Sequence, residues 1–216
     1  FDIYNRLDSR LQANESVDYD FAADGTLARQ TDGNNVITDY RYDTLKRLTQ
    51  VTRDLDGNAP LTANATTVYD YDTQDRLTSV TDPLQGNTRY VYDDLGNLVS
   101  QTSPDTGTTA FSYDEAGNLM QKIDANGQRL SYRYDALNRL ASTTNGEGDT
   151  TLFGYDAEGN RTSVQEPKGP ITRFTYGERG ERLTVTEPAP AEGEVAPITA
   201  YGYDRSRNRT SQTDAN

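Results

Sequence analysis

The residues of this chain that could do chemistry are carboxylates and phenols, because it contains no histidine and no cysteine. Triads that use an imidazole or a thiolate, and zinc sites of the usual His/Cys kind, cannot be built. Two carboxylate patterns remain. Asp105-Thr106-Gly107 carries the short signature of aspartic proteases, and Asp54, Asp56 and Asn58 have the spacing of the first ligands of a calcium loop. The calcium pattern fails at its twelfth position, Ala65, where a bidentate Glu is needed. The protease pattern falls in a turn that recurs along the chain, so it reads as turn chemistry. No enzyme activity, metal site or cofactor is expected. Rows of tyrosine could stack sugars or single-stranded bases, but their spacing points to packing.

Every aromatic except Tyr4 obeys one repeat. Anchors stand at Phe1, Phe21, Tyr42, Tyr71, Tyr92, Tyr113, Tyr134, Tyr155, Tyr176 and Tyr203. Their gaps are 20, 21, 29, 21, 21, 21, 21, 21 and 27 residues. Two residues before each anchor from the second onward is another aromatic: Tyr19, Tyr40, Tyr69, Tyr90, Phe111, Tyr132, Phe153, Phe174 and Tyr201. A fixed period of this length marks a repeat protein in which each unit is stabilised by its neighbours.

The rest of each unit says what it must be. Aromatics at i and i+2 share one face of a strand. Asp follows the anchor in eight units: Asp2, Asp43, Asp72, Asp93, Asp114, Asp135, Asp156 and Asp204. Gly or Asn stands four after it in seven, among them Gly96, Gly117, Asn138 and Gly159. Asp followed three residues later by a residue that tolerates positive φ predicts a type I turn closing on a left-handed bulge residue, a common three-residue hairpin. The Asp carboxylate can accept the N–H two residues on. On the return strand, Leu sits six after the anchor in seven units, and Arg161, Arg182 and Arg209 replace it in three. Ser is common at eight after and Thr at ten after. This Leu-x-Ser-x-Thr spacing predicts one shared face, with Tyr92 near Leu98 and Tyr90 near Ser100.

The fold expected is all-β: about ten hairpins, hence about twenty short antiparallel strands, in a single continuous array over 1–216. A second turn, clearest at Thr81-Asp82-Pro83-Leu84-Gln85-Gly86-Asn87, joins the hairpins, and Asp105 falls in one copy of it. The two long gaps predict insertion loops near 54–67 and 187–199. The chain opens at Phe1 inside one turn motif and ends at Asn216 inside another, as a piece of a longer array would. A leucine-rich repeat has a compatible period but wants Leu eight after the anchor, where Ser, Gln, Arg or Thr stands.

Apolar residues make up only 33% and mean hydropathy is −0.88, so the core must be modest and spread along the sheet. The net charge of −13 opposes binding to nucleic acid, whose phosphates demand Lys and Arg. Much of that acidity is turn Asp. No run approaches the roughly 18 apolar residues of a membrane helix, and no signal peptide is visible.

Units such as Tyr90-Val91-Tyr92-Asp93-Asp94-Leu95-Gly96-Asn97-Leu98 and Tyr132-Arg133-Tyr134-Asp135-Ala136-Leu137-Asn138-Arg139-Leu140 resemble YD repeats of the rearrangement-hotspot (RHS) family. Thr81-Asp82-Pro83 and Gly86-Asn87 match that family's linker. The resemblance covers essentially the whole chain, with drift at Ala22, Gly177 and the three Arg residues. It implies a curved, spiralling sheet that is part of a hollow shell. In bacteria such shells enclose a toxic C-terminal domain, as in insecticidal toxin complexes and type VI secretion effectors, and teneurins carry a related shell in cell adhesion. The implied partners are the remainder of the shell, an enclosed toxin domain and secretion-apparatus proteins; the implied location is outside a bacterium. No self-cleaving segment follows Asn208, so neither protease nor toxin residues can be assigned. An extracellular adhesion or carbohydrate-binding module is the competing expectation. The residues that carry the resemblance are structural: Tyr42, Tyr71, Tyr92, Tyr113, Tyr134, Tyr155 and Tyr203 with the Asp after each, and Gly96, Gly117, Asn138 and Gly159.

Overall fold

A computed structural model of the chain describes residues 9–12, 15–54, 64–191 and 193–214. Phe1, Asp2, Tyr4, Asp56 and Asn58 lie outside them. The described residues form nineteen strands and no helix, with each strand four to eight residues long. The chain divides into two compact units, Phe1–Thr109 and Ala110–Asn216. The first holds β1 (Ser9–Gln12), β2 (Glu15–Phe21), β3 (Leu27–Thr31), β4 (Ile37–Tyr42), β5 (Leu48–Asp54), β6 (Asn64–Tyr71), β7 (Leu77–Thr81), β8 (Asn87–Tyr92) and β9 (Leu98–Ser103). β10 (Gly107–Tyr113) crosses the boundary. The second continues with β11 (Leu119–Ile123), β12 (Arg129–Tyr134), β13 (Leu140–Thr144), β14 (Thr150–Tyr155), β15 (Arg161–Gln165), β16 (Ile171–Tyr176), β17 (Arg182–Thr186), β18 (Ile198–Tyr203) and β19 (Arg209–Asp214). Inside each unit every strand pairs antiparallel with the next, so each is a meander of hairpins.

Each anchor ends a strand and the expected turn follows. Asp93 N–H donates to Asn97 O (2.9 Å) and Gly96 N–H to Asp93 O (3.1 Å), closing a three-residue loop. Gly96 has φ +88°, and its counterparts Lys46 (+63°), Asp75 (+64°), Asn138 (+59°) and Arg207 (+65°) are left-handed despite their side chains. The turns between hairpins use the same device. Asp82 N–H donates to Gly86 O (2.8 Å), Gln85 N–H donates to Asp82 O (3.0 Å), and Gln85 has φ +67°. The turns opened by Asp32, Asp124 and Asn145 close in the same way.

The bulge changes which residues share a face. Tyr92 pairs with Leu98, but Val91 pairs with Ser100 and Tyr90 with Gln101, so one return-strand residue is skipped. The expected pairing of Tyr90 with Ser100 is therefore incorrect. The extra residue shifts the register by one, and a one-residue shift carries the remaining side chains to the other face. The Ser and Thr rows lie opposite the tyrosines. There Ser79 Oγ donates to Asp70 Oδ2 (2.6 Å), Thr52 and Thr66 share a hydroxyl bond (3.1 Å), and Arg29 pairs with Asp39 (2.7 Å). The aromatic face instead carries Val80, Val164 and Val185 across from Tyr69, Phe153 and Phe174.

Turns between hairpins add no bulge: Val80 pairs with Thr88, just as Val51 pairs with Thr67 and Val185 with Thr199 across the two insertions. Asp70 pairs with Ser79 and Ser79 with Arg89, whereas the repeat equivalent of Asp70 is Val91. Each repeat is therefore stepped two residues along the strand from the last.

The insertions are shorter as loops than expected. β5 and β6 run on into the first, pairing Arg53 with Ala65 and Asp54 with Asn64, because Asn64-Ala65-Thr66 still offers an extended partner to Thr52-Arg53-Asp54. β18 already begins at Ile198, and Glu187 N–H donates to Pro197 O (2.9 Å) at the neck of the second. Among the described residues only Val185 (9% exposed) and Ser142 (8%) are buried. Among the described residues no second layer covers either face within a unit.

Candidate functional site

The functional residues are those that fasten one repeat to the next. The turn Asp is the hub. Asp72 Oδ1 accepts the N–H of Gln74 (2.8 Å) and of Arg76 (3.0 Å), and Oδ2 accepts Arg76 Nε (2.7 Å). Asp43 with Arg47 and Asp135 with Arg139 repeat this arrangement. In Asp93, Asp114, Asp156 and Asp204 an Asn side chain replaces the guanidinium: Asn97, Asn118, Asn160 and Asn208, at 2.9–3.0 Å. The carboxyls of Asp43, Asp72 and Asp135 are held below the usual range, first by the backbone N–H of the Arg four residues on. For Asp93, Asp114, Asp156 and Asp204 the Asn side-chain amide is the largest cause.

The Arg in this pair also reaches the following repeat. Arg76 Nη1 donates to Asp93 O (3.1 Å) with its guanidinium 4.9 Å from the Tyr92 ring centre. Arg47 does the same to Asp72 O and Tyr71, and Arg139 to Asp156 O and Tyr155. Arg47 Nη1 adds an ion pair to Asp75 (2.7 Å).

The anchor tyrosines hold the other direction. Tyr71 OH donates to Leu48 O, Tyr92 OH to Leu77 O, Tyr134 OH to Leu119 O and Tyr155 OH to Leu140 O, at 2.9–3.1 Å. Tyr176 and Tyr203 donate to Arg161 O and Arg182 O. Each of these six anchors is pinned to the return strand of the repeat before it. Burial raises the phenol pKa of Tyr42, Tyr71, Tyr92 and Tyr134, away from neutral pH.

Arg47, Arg76 and Arg139 thus join the turn Asp of one repeat to the anchor Tyr of the next, a link that sequence reasoning missed. The same position, five after the anchor, holds Asn97, Asn118, Asn160 and Asn208, which bond the Asp of their own turn, and its Arg/Asn restriction was the available signal. The drifted repeat at Tyr176 inverts the pair. Gly177 replaces Asp, and Glu181 supplies the carboxylate, accepting Arg179 N–H (3.1 Å). A Cβ at Gly177 would come within 2.7 Å of the Glu181 carboxylate, so the two departures are one exchange.

Asp56 and Asn58 of the calcium-like pattern lie outside the described residues. Asp105 sits exposed in the turn before β10, with its N–H on Ser103 Oγ (3.3 Å). The cavities among the described residues are open grooves on the sheet. One of about 690 Å³ lies between the turns at Asp156 and Gly177, where Asn160 is too short to bridge as Arg does elsewhere.

Comparison with known proteins gives matches to the RHS Repeat family model at residues 71–109, 92–129, 113–151, 134–171 and 155–192, together more than half the chain. No curated relative matches. Solved structures share the fold. A crystal structure of TcdB2-TccC3-Cdc42 is 14% identical over 93% of this chain and 15% of its own, with a TM-score of 0.58. TcdB2-TccC3 without its hypervariable C-terminal region is 16% identical over 93% and 13%, with a TM-score of 0.60. The Tc holotoxin pore of Photorhabdus luminescens is 14% identical over 93% and 15%, with a TM-score of 0.56. The chain spans about a seventh of the solved chains it matches.

Proposed function

We propose, for a chain that belongs to the RHS repeat family, that these repeats are a wall segment of a bacterial toxin's encapsulating shell, exported from the cell and closed around a toxic C-terminal domain carried further along the polypeptide. The observation that carries this reading is the fastening described above: a one-layer sheet with hardly a buried side chain, locked repeat to repeat by Tyr–carbonyl and Arg–Asp bonds. Among the described residues its cavities are grooves open to solvent. It has the property a wall needs, continuity of backbone pairing without a core to fill. Its mechanism is containment, keeping a guest chain away from water and proteases. The similarity to structures of TccC3 supports the toxin setting. The segment is not an enzyme, binds no nucleic acid and inserts in no membrane; its partners are the rest of the shell and the guest, with a secretion apparatus as the export route. The test is limited proteolysis of the longer polypeptide that carries these repeats. The domain following the repeats should survive protease that digests the same domain made alone. Digestion at the same rate in both forms, or the lack of any domain after the repeats, would overturn containment and favour an adhesive role.

A further inference from the structure

Three guanidiniums take no part in the fastening. Arg161, Arg182 and Arg209 are exposed on the aromatic face of the second unit, where other repeats carry Leu. Arg161 lies 5.9 Å from the Phe153 ring centre and 5.7 Å from that of Phe174. Arg182 lies 5.9 Å from Phe174 and 5.3 Å from Tyr201, and Arg209 lies 5.7 Å from Tyr201. Rings and guanidiniums therefore alternate in one row. Among the described residues none of the three has a carboxylate within ion-pair range, whereas Arg29, Arg47, Arg76 and Arg139 all do. In a chain of net charge −13, three adjacent cations without an ion-pair partner stand out. A guanidinium resting against a ring is also pre-oriented, and its in-plane N–H groups remain free for a bidentate carboxylate.

We infer that this row binds an acidic polypeptide segment in extended conformation, with glutamate or aspartate at every fourth residue. Charge complementarity selects the acids, and geometry selects their spacing. Neighbouring Arg residues are two strands apart and stepped by two residues, which places them about 12 Å apart. Side chains four apart on an extended chain share a face and are separated by about 13 Å. The row is flanked by half-buried Phe153, Phe174, Tyr201 and Val164, an apolar floor that suits the side chains between the acids better than a polyuronate. Single-stranded nucleic acid fits less well, because the guanidiniums already occupy the ring surfaces on which bases would stack. The inference is independent of containment, since it asks only what this face can hold.

Fluorescence anisotropy of the 216-residue chain with a short labelled peptide bearing Glu at every fourth position tests it. The peptide should bind with an affinity that falls as salt rises, and its Gln counterpart should not bind. Replacing all three residues (Arg161→Leu, Arg182→Leu, Arg209→Leu) restores the side chain of the other repeats and should weaken binding about tenfold or more. Should that variant fold poorly by circular dichroism, the corresponding triple Arg→Gln variant must show the same loss. Equal binding by a folded variant, equal binding of the Gln peptide, or equally tight binding of an oligouronate or single-stranded DNA would overturn the proposal.

Discussion

Guanidinium meets aromatic ring in two regions of this molecule, and the two differ in what accompanies the cation. At the turns of β5, β7 and β13, Arg47, Arg76 and Arg139 are half-covered, ion-paired to the turn Asp and bonded to the next repeat's carbonyl. On β15, β17 and β19, Arg161, Arg182 and Arg209 lie on rings with no carboxylate partner among the described residues. The same pair of groups is a fastener in the first region and a presented charge in the second. The deciding element is the carboxylate: with it, the guanidinium's donors are used inside the molecule, and without it they are available to a partner.

Substitution separates the two. Arg76→Ala removes an ion pair, a bond to Asp93 O and a ring contact, and should lower stability to urea by about 2 kcal/mol. Arg161→Leu should leave it within about 0.5 kcal/mol. Equal losses would erase the distinction. A smaller effect isolates the turn that positions the fastener. A Cβ at Gly159 meets nothing within 4 Å, so the cost of Gly159→Val comes from its φ of +91° and should be about 1–2 kcal/mol. Lys46→Val should cost less, since that left-handed site already holds a side chain. Matching losses in the two urea titrations would mean that backbone strain does not govern these turns.

Acid is the mildest probe. The folded-state pKa of Asp43, Asp72 and Asp135 is lowered, so their contribution is full above the unfolded value of about 4 and is lost as pH falls through the folded value. Stability should therefore decline below about pH 4. The decline should be shallower in Arg76→Ala and unchanged in Arg161→Leu, as followed by urea midpoints across the acid range.

The hairpin period and the turn were legible because Tyr, Asp and Gly are each demanded by local geometry. Asp93 must cap and Gly96 must adopt positive φ whatever surrounds them. The division of faces was not, because a period-two reading of Leu98, Ser100 and Thr102 cannot see a residue skipped by a bulge. The Arg76–Asp72–Tyr92 assembly escaped for a different reason. Its members come from two repeats, and only the pairing of strands brings them within reach. Gly177 looked like a lapse until geometry placed the Glu181 carboxylate where that of the missing Asp would have been.

The unbulged turns between hairpins carry a consequence for grafting. The two long repeats measure 29 and 27 residues against the usual 21, so both differ from it by an even count. Across each, Val51 still pairs with Thr67 and Val185 with Thr199, leaving Tyr69 and Tyr201 on their proper side. Wherever the added residues continue the strands in register, as they do beside Asp54 and Asn64, an odd count would turn the next strand over and send its tyrosines through the sheet. This edge is thus a natural port for foreign peptide, a tag or an epitope, and its admission rule is parity more than length.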